Sequence, residues 1–180
     1  MATLGIPYFL EDRTGLLTGS DFVDVHDRMR LSLRCSLRDT VHTAYMIYDM
    51  TYPSNAQPAA ALDYPSNNGL GTIMIHGRGS WQMNQYLVKL SPFGSSRNRK
   101  FTASDGQEYR WSWRTRDGFE WICLNASGYL VAYYNLKIPG EPHYQSSSGC
   151  MFTVDESYPH LAVELLASLL IMRHIAEYNL

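Results

Sequence analysis

The sequence predicts a mainly β, α+β fold. It would be an antiparallel β-barrel or strongly curled sheet wrapped around one buried hydrophobic C-terminal helix, in a single domain over residues 1–180. Three observations predict it. Short runs of alternating or aromatic-rich residues recur between turn signals along most of the chain. Two Asp-Gly pairs, Asp105-Gly106 and Asp117-Gly118, mark tight turns between such runs. From Leu161 to Met172, ten of twelve residues are apolar, interrupted only by Glu164 and Ser168.

The elements follow in order. Asp21–Val25 and Met29–Arg34 alternate polar with apolar residues, as half-buried strands do, and Thr43–Tyr48 reads as a more deeply buried one. Residues 51–71 collect Pro, Gly, Asn and Ser and predict a long loop. It carries a short echo, Tyr52-Pro53-Ser54-Asn55 and Tyr64-Pro65-Ser66-Asn67, and each copy suits a turn. Thr72–Ile75 is a strand ending at the Gly77-Arg78-Gly79 turn, and Trp81–Leu90 continues extended. Lys100–Thr102 and Glu108–Trp113 form a hairpin, with Tyr109, Trp111 and Trp113 on one face. Phe119–Leu124 and Tyr129–Ile138 flank the Asn125–Gly128 turn, and Met151–Val154 is the last strand. The helix spans about 159–178, with Pro159 near its start and Ser157 as candidate cap. An apolar surface on nearly every side requires protein all round it. Its twelve-residue apolar core reaches roughly 18 Å, short of a bilayer.

Charge and cysteine content narrow the class. With 15 basic and 17 acidic residues the net charge is −2, which excludes a dedicated nucleic-acid packaging protein. Three scattered cysteines form neither a disulfide framework nor a zinc site. Cys123, in an apolar run, reads as a buried thiol. The N-terminus lacks the basic start of a signal peptide, and no run of about twenty apolar residues occurs. The expectation is a cytoplasmic protein without a transmembrane segment.

Phe101–Trp111, Val131-Ala132-Tyr133-Tyr134 and His160–Leu166 carry a resemblance. Across Phe101–Leu180 the chain resembles a family of domains of unknown function from mushroom-forming fungi. Its pattern is similar to the tubby, LURP-one and scramblase-like group. The resemblance implies a closed barrel around a hydrophobic helix. It implies no chemistry, although tubby-like relatives are linked to phosphoinositide membranes.

The candidate binding residues are cations. Between Ser95 and Arg116, six of them stand against two carboxylates, a local charge of +4 that leaves −6 on the rest. Such segregation steers an anion toward Arg97, Arg99, Lys100, Arg110 and Arg114. Arg78 joins them in Gly77-Arg78-Gly79-Ser80, where backbone N–H groups could cradle an anion. The expected function is a binding or interaction protein for an anionic small molecule, a lipid headgroup or an acidic protein. The alternative is a small enzyme acting on an apolar or aromatic metabolite at the barrel rim, with His76, Tyr64 or His143 as its acid–base group. The six histidines show no ligand spacing, so neither a metal nor a cofactor is expected. A homodimer would form through the aromatic strand 109–113 if the sheet stayed open there.

Overall fold

The computed structural model describes residues 5–53, 56–136 and 147–180. The first seven strands are β1 (Tyr8–Asp12), β2 (Ser20–Asp24), β3 (Arg30–Arg38), β4 (His42–Asp49), β5 (Ala60–Pro65), β6 (Thr72–Ile75) and β7 (Gly79–Gln82). A short helix α1 (Met83–Tyr86) separates them from β8 (Val88–Lys89), β9 (Arg99–Thr102) and β10 (Glu108–Trp113). Then come β11 (Trp121–Asn125), β12 (Leu130–Asn135), β13 (Cys150–Val154) and the helix α2 (Ala162–Tyr178). All thirteen strands belong to one antiparallel sheet, ordered β7-β6-β5-β4-β3-β2-β1-β13-β12-β11-β10-β9-β8. Every pair of strands consecutive in sequence is hydrogen-bonded except β7 and β8, and β13 pairs with β1.

That one exception sets the shape. At about 4.8 Å per strand, a flat sheet of this order would hold β7 and β8 roughly 58 Å apart. The six residue steps from Gln82 to Val88 reach at most about 21 Å. The sheet must therefore curl until its two edges face each other. α1 fills the seam, with Met83, Tyr86 and the following Leu87 buried. No β7–β8 ladder forms, so the closed barrel expected from the sequence is not present.

The inward rows are apolar: Leu10, Phe22, Leu33, Ile47, Leu62, Ile73, Trp111 and Phe152 are all buried, and they pack on α2. The helix is buried from Ala162 to Ile175 except at Val163 and Arg173, which are partly exposed. Its two polar interruptions share a stripe because they are four residues apart. Ser168 accepts a hydrogen bond from Trp111 Nε1 at 2.8 Å and donates to the Leu165 carbonyl at 3.0 Å. Glu164 accepts from the Ser104 N–H at 3.1 Å and from the Tyr86 hydroxyl at 3.3 Å, beside Arg78 at 3.3 Å.

Several sequence expectations change. The helical segment Pro159–Tyr178 has mean hydropathy 1.3 and is long and apolar enough to cross a membrane by length and composition alone. Burial of 72% of its apolar window makes it a core helix. Its first turn is a 3-10 turn at Pro159–Leu161, and Ser157 does not cap it; the Ser157 N–H instead donates to the Asp155 carboxylate. β5 lies inside the expected 51–71 loop, α1 breaks the expected 81–90 strand, and β1 was not expected. Strand 109–113 is paired on both sides, by β9 and β11, so it offers no free edge to a second copy. Cys123 is buried as expected. His143 and the end of the predicted 129–138 strand fall outside the described residues.

Two outcomes follow from this packing. Leu166→Ala removes a fully buried side chain from α2. It should cost about 2–5 kcal/mol in urea denaturation, and a loss below about 1 kcal/mol would mean that the helix is not enclosed. His174 is buried, with Nε2 2.8 Å from the Asn68 carbonyl, and burial lowers its pKa below the ordinary value. The unfolded chain therefore takes up this proton first as the solution acidifies. Stability should be intact above the ordinary histidine pKa, about 6.5, and decline below it. His174→Gln should flatten that decline in urea titrations at stepwise lower pH.

Candidate anion-binding site

β8 and β9 form a hairpin at one edge of the sheet. Val88 stands opposite Lys100 and Lys89 opposite Arg99, and the Leu90 N–H donates to the Asn98 carbonyl at 3.3 Å. β9 then pairs with β10, placing Lys100 opposite Arg110 and Phe101 opposite Tyr109. Side chains alternate between faces along a strand. Arg99, Phe101, Tyr109 and Trp111 are buried, so Lys100 and Arg110 stand together on the outer face.

Like charges directly opposite on neighbouring strands repel. Lys100 Nζ is relieved by Glu108 at 3.0 Å. Arg110 is exposed and makes no side-chain hydrogen bond or ion pair among the described residues. Both cations line a groove of about 440 Å³, whose other walls include Leu90, Leu124 and the Asn125–Gly128 turn.

The loop beyond this groove is apolar at its tip. The Gly94 N–H closes a turn onto the Ser91 carbonyl at 3.1 Å, and inside that turn Phe93 is 100% exposed. Val88 and Leu90 are also exposed. From Val88 to Lys100 the chain holds four cations and no carboxylate. Lys89, Leu90 and Phe93 were not singled out from the sequence. The available signal was Pro92-Phe93-Gly94, an aromatic residue in a serine-rich turn outside any alternating run.

The remaining predicted cations are held by the fold and do not converge on this groove. Arg78 sits beside Glu164 and lies 5.3 Å from the Trp81 ring. With Lys100 it lines a smaller groove of about 210 Å³ at the seam. Arg97 stacks on Trp113 at 4.1 Å and reaches the Ala176 carbonyl at 3.5 Å. Arg114 pairs with Glu120 at 2.8 Å and also covers Trp113. Arg99 is buried, donating to the Ser96 carbonyl at 2.9 Å and the Leu87 carbonyl at 3.1 Å, and burial lowers its pKa. It clamps the two ends of the loop.

The alternative acid–base residues are not assembled. His76 is exposed, and its N–H donates to the Ala59 carbonyl at one end of β5. Tyr64 lies five residues farther along, roughly 17 Å away at strand rise. His42 lies 3.4 Å from Asp39 and 3.7 Å from Asp63. No cluster of three metal-ligating side chains occurs among the described residues. No protein-family model matches this chain, and no curated protein or solved structure matches it either.

The two kinds of arginine are separable by experiment. Arg99→Met strands two carbonyl acceptors and should lower stability by about 1–3 kcal/mol in chemical denaturation. Arg110→Met should change it by no more than about 0.5 kcal/mol, since nothing in the fold depends on that side chain. The reverse order would show that Arg110 is structural and Arg99 is not.

Proposed function

We propose that this protein is a non-enzymatic binding protein that docks on an anionic lipid surface through the β8–β9 loop and the Lys100–Arg110 groove. The observation that carries this reading is the Lys100–Arg110 pair, in direct cross-strand register with Arg110 unpartnered among the described residues, together with a fully exposed Phe93 in the adjoining β8–β9 loop. A headgroup phosphate between the two cations would accept charge-assisted contacts from both, with Lys100 turning to it from Glu108. Phe93 and Leu90 would enter the boundary between headgroups and acyl chains. Each cation near an anionic leaflet contributes about 1 kcal/mol, so neither the charges nor the single aromatic suffices alone. The resemblance to tubby-like domains favours the same partner at the level of fold. A cytoplasmic location, which would present an anionic leaflet, is part of this proposal. The enzyme reading is less favoured because Tyr64 and His76 stand at opposite ends of β5.

Co-sedimentation with vesicles tests it. The protein should pellet with phosphatidylcholine vesicles containing about 30% phosphatidylserine and remain in solution with phosphatidylcholine alone. Pelleting should fade as salt rises from about 50 to about 500 mM, because exposed charges are screened. Phe93→Ser and Arg110→Glu should each reduce binding several-fold, and Arg114→Gln should leave it unchanged. Equal binding to neutral vesicles, or no binding to either, would refute the proposal. Capture of inorganic phosphate without vesicle binding would reassign the groove to a small soluble anion.

A further inference from the structure

A second concavity lies where the last two turns of α2 meet β3–β5 and the loop after β1. It encloses about 430 Å³. Four rings make a continuous wall along it. His174 stacks on Tyr64, with centroids 4.0 Å apart and planes at 25°. Tyr45 meets Tyr64 edge-on at 6.1 Å, and Tyr178 tilts over His174 at 4.6 Å. Leu17, Leu33, Leu62 and Leu170 supply apolar surface around them. Burial of this much ring and aliphatic surface with an open mouth is the usual composition of a small-molecule site.

Besides Arg173 Nη1, which is buried without a hydrogen bond, two ring-borne polar groups in that wall have no hydrogen-bond partner among the described residues. Tyr64 is only 6% exposed, yet its hydroxyl makes no hydrogen bond among the described residues. Burial pushes its pKa far up, so it stays a neutral phenol able to donate or accept. His174 is 7% exposed; its Nε2 faces the Asn68 carbonyl, and the Gly69 backbone also lies within reach of the ring. A carbonyl only accepts, so the proton resides on Nε2 and the neutral ring keeps a lone pair on Nδ1. No donor among the described residues meets that lone pair. The Asn68 carbonyl is aimed by a left-handed backbone, φ 60°, which asparagine tolerates.

The charges at this site cancel. Arg38 and Arg173 line it together with Asp39 and Glu177. Arg173 is drawn inward, donating to the Gly15 carbonyl at 2.8 Å and lying 3.6 Å from buried Asp12. Asp39 accepts from the N–H groups of Val41 and His42. The formal charges of these four side chains sum to zero.

We propose that this cavity binds a small, uncharged ring compound carrying one hydroxyl or ring N–H group, of the phenol or indole class. The ring would lie against the aromatic wall. Its polar hydrogen would be donated to His174 Nδ1, and a hydroxyl oxygen would accept from Tyr64. The site is independent of the Lys100–Arg110 groove.

Calorimetric titration of the full chain with indole, phenol, toluene and benzoate tests this. Indole and phenol should bind saturably at one site per chain, and toluene and benzoate at least several-fold more weakly. Tyr64→Phe should weaken phenol about three- to ten-fold, the value of one hydrogen bond. Tyr178→Ala, at an exposed helix end and therefore safe for folding, should weaken both indole and phenol. Arg110→Glu should bind both as the natural chain does, which keeps this result separate from that of the vesicle experiment. Absence of saturable binding would overturn the proposal, as would affinities unchanged by both tyrosine variants. Toluene binding as tightly as indole would overturn the hydrogen-bonding assignment.

Discussion

The structure depends on how few residues connect β7 to β8. A thirteen-stranded sheet whose two edges are tied by α1 has to roll up, and rolling up leaves a lumen that something must fill. α2 fills it, and the apolar character of that helix on every side is the consequence. The seam itself lacks the ladder that holds every other pair of neighbouring strands. Side chains bridge it instead. The Glu164 carboxylate, 4% exposed, draws together the Ser104 N–H beyond β9, the Tyr86 hydroxyl of α1 and the Arg78 guanidinium before β7. A buried carboxylate without such donors would cost several kcal/mol. Elsewhere in the sheet, Asp12 plays a related role. It is fully buried, accepts from Ser20, Tyr134 and the Gly15 N–H, and lies near Arg173. It thereby joins β1, β2 and β12 to the helix.

A filled lumen moves recognition to the outer face and the ends. On the outer face, the two-residue period of a strand decides which cations are available. Arg99 and Lys100 are neighbours in sequence and have opposite fates. One is sealed inside holding carbonyl oxygens, and the other stands in the groove. Arg97 and Arg114 both lie over one ring, Trp113. The local charge of +4 is thus a property of the sequence that the fold divides between clamps, stacks and a smaller free remainder.

The same considerations explain what was legible in the sequence. The β9–β10 hairpin, β6 and β13 were, because each pairs a clear period with turn residues at its ends. So was the enclosed helix, because no amphipathic face was visible. β1 was hidden by Asp12, a charged residue at an inward position of Tyr8–Asp12, which breaks the pattern that an apolar residue would have completed. β5 was hidden by the surrounding Pro and Asn, and α1 by its length, since four residues carry no helical period and only the seam makes them turn. The length of α2 was legible too: Arg173, His174 and Glu177 end the apolar run, yet the expected end near 178 agrees with Tyr178. Of the two candidate sites, the cations were visible as composition and Tyr64 as a loop residue. Phe93 gave only a local hint. The ring wall assembles Tyr45, Tyr64 and His174 from distant parts of the chain, and only the His174–Tyr178 spacing is local.

The final turn of α2 is where the two outward sites come closest to sharing an element. Arg97, from the β8–β9 loop, reaches the Ala176 carbonyl, where the negative end of the helix dipole favours a cation. The next two residues, Glu177 and Tyr178, line the aromatic cavity, and Asn179 closes the helix in the left-handed conformation. Coupling between distant sites requires an element with two arrangements that both sites bias. Most of α2 is too tightly enclosed to be such an element, since a close-packed core does not deform gradually. Its last turn is different: residues 177–179 are exposed, Tyr178 packs on His174 at the cavity, and the Arg97 contact falls on Ala176 just before them. The end of α2 therefore carries a contact from the β8–β9 loop and a wall of the aromatic cavity within three residues, Ala176 to Tyr178.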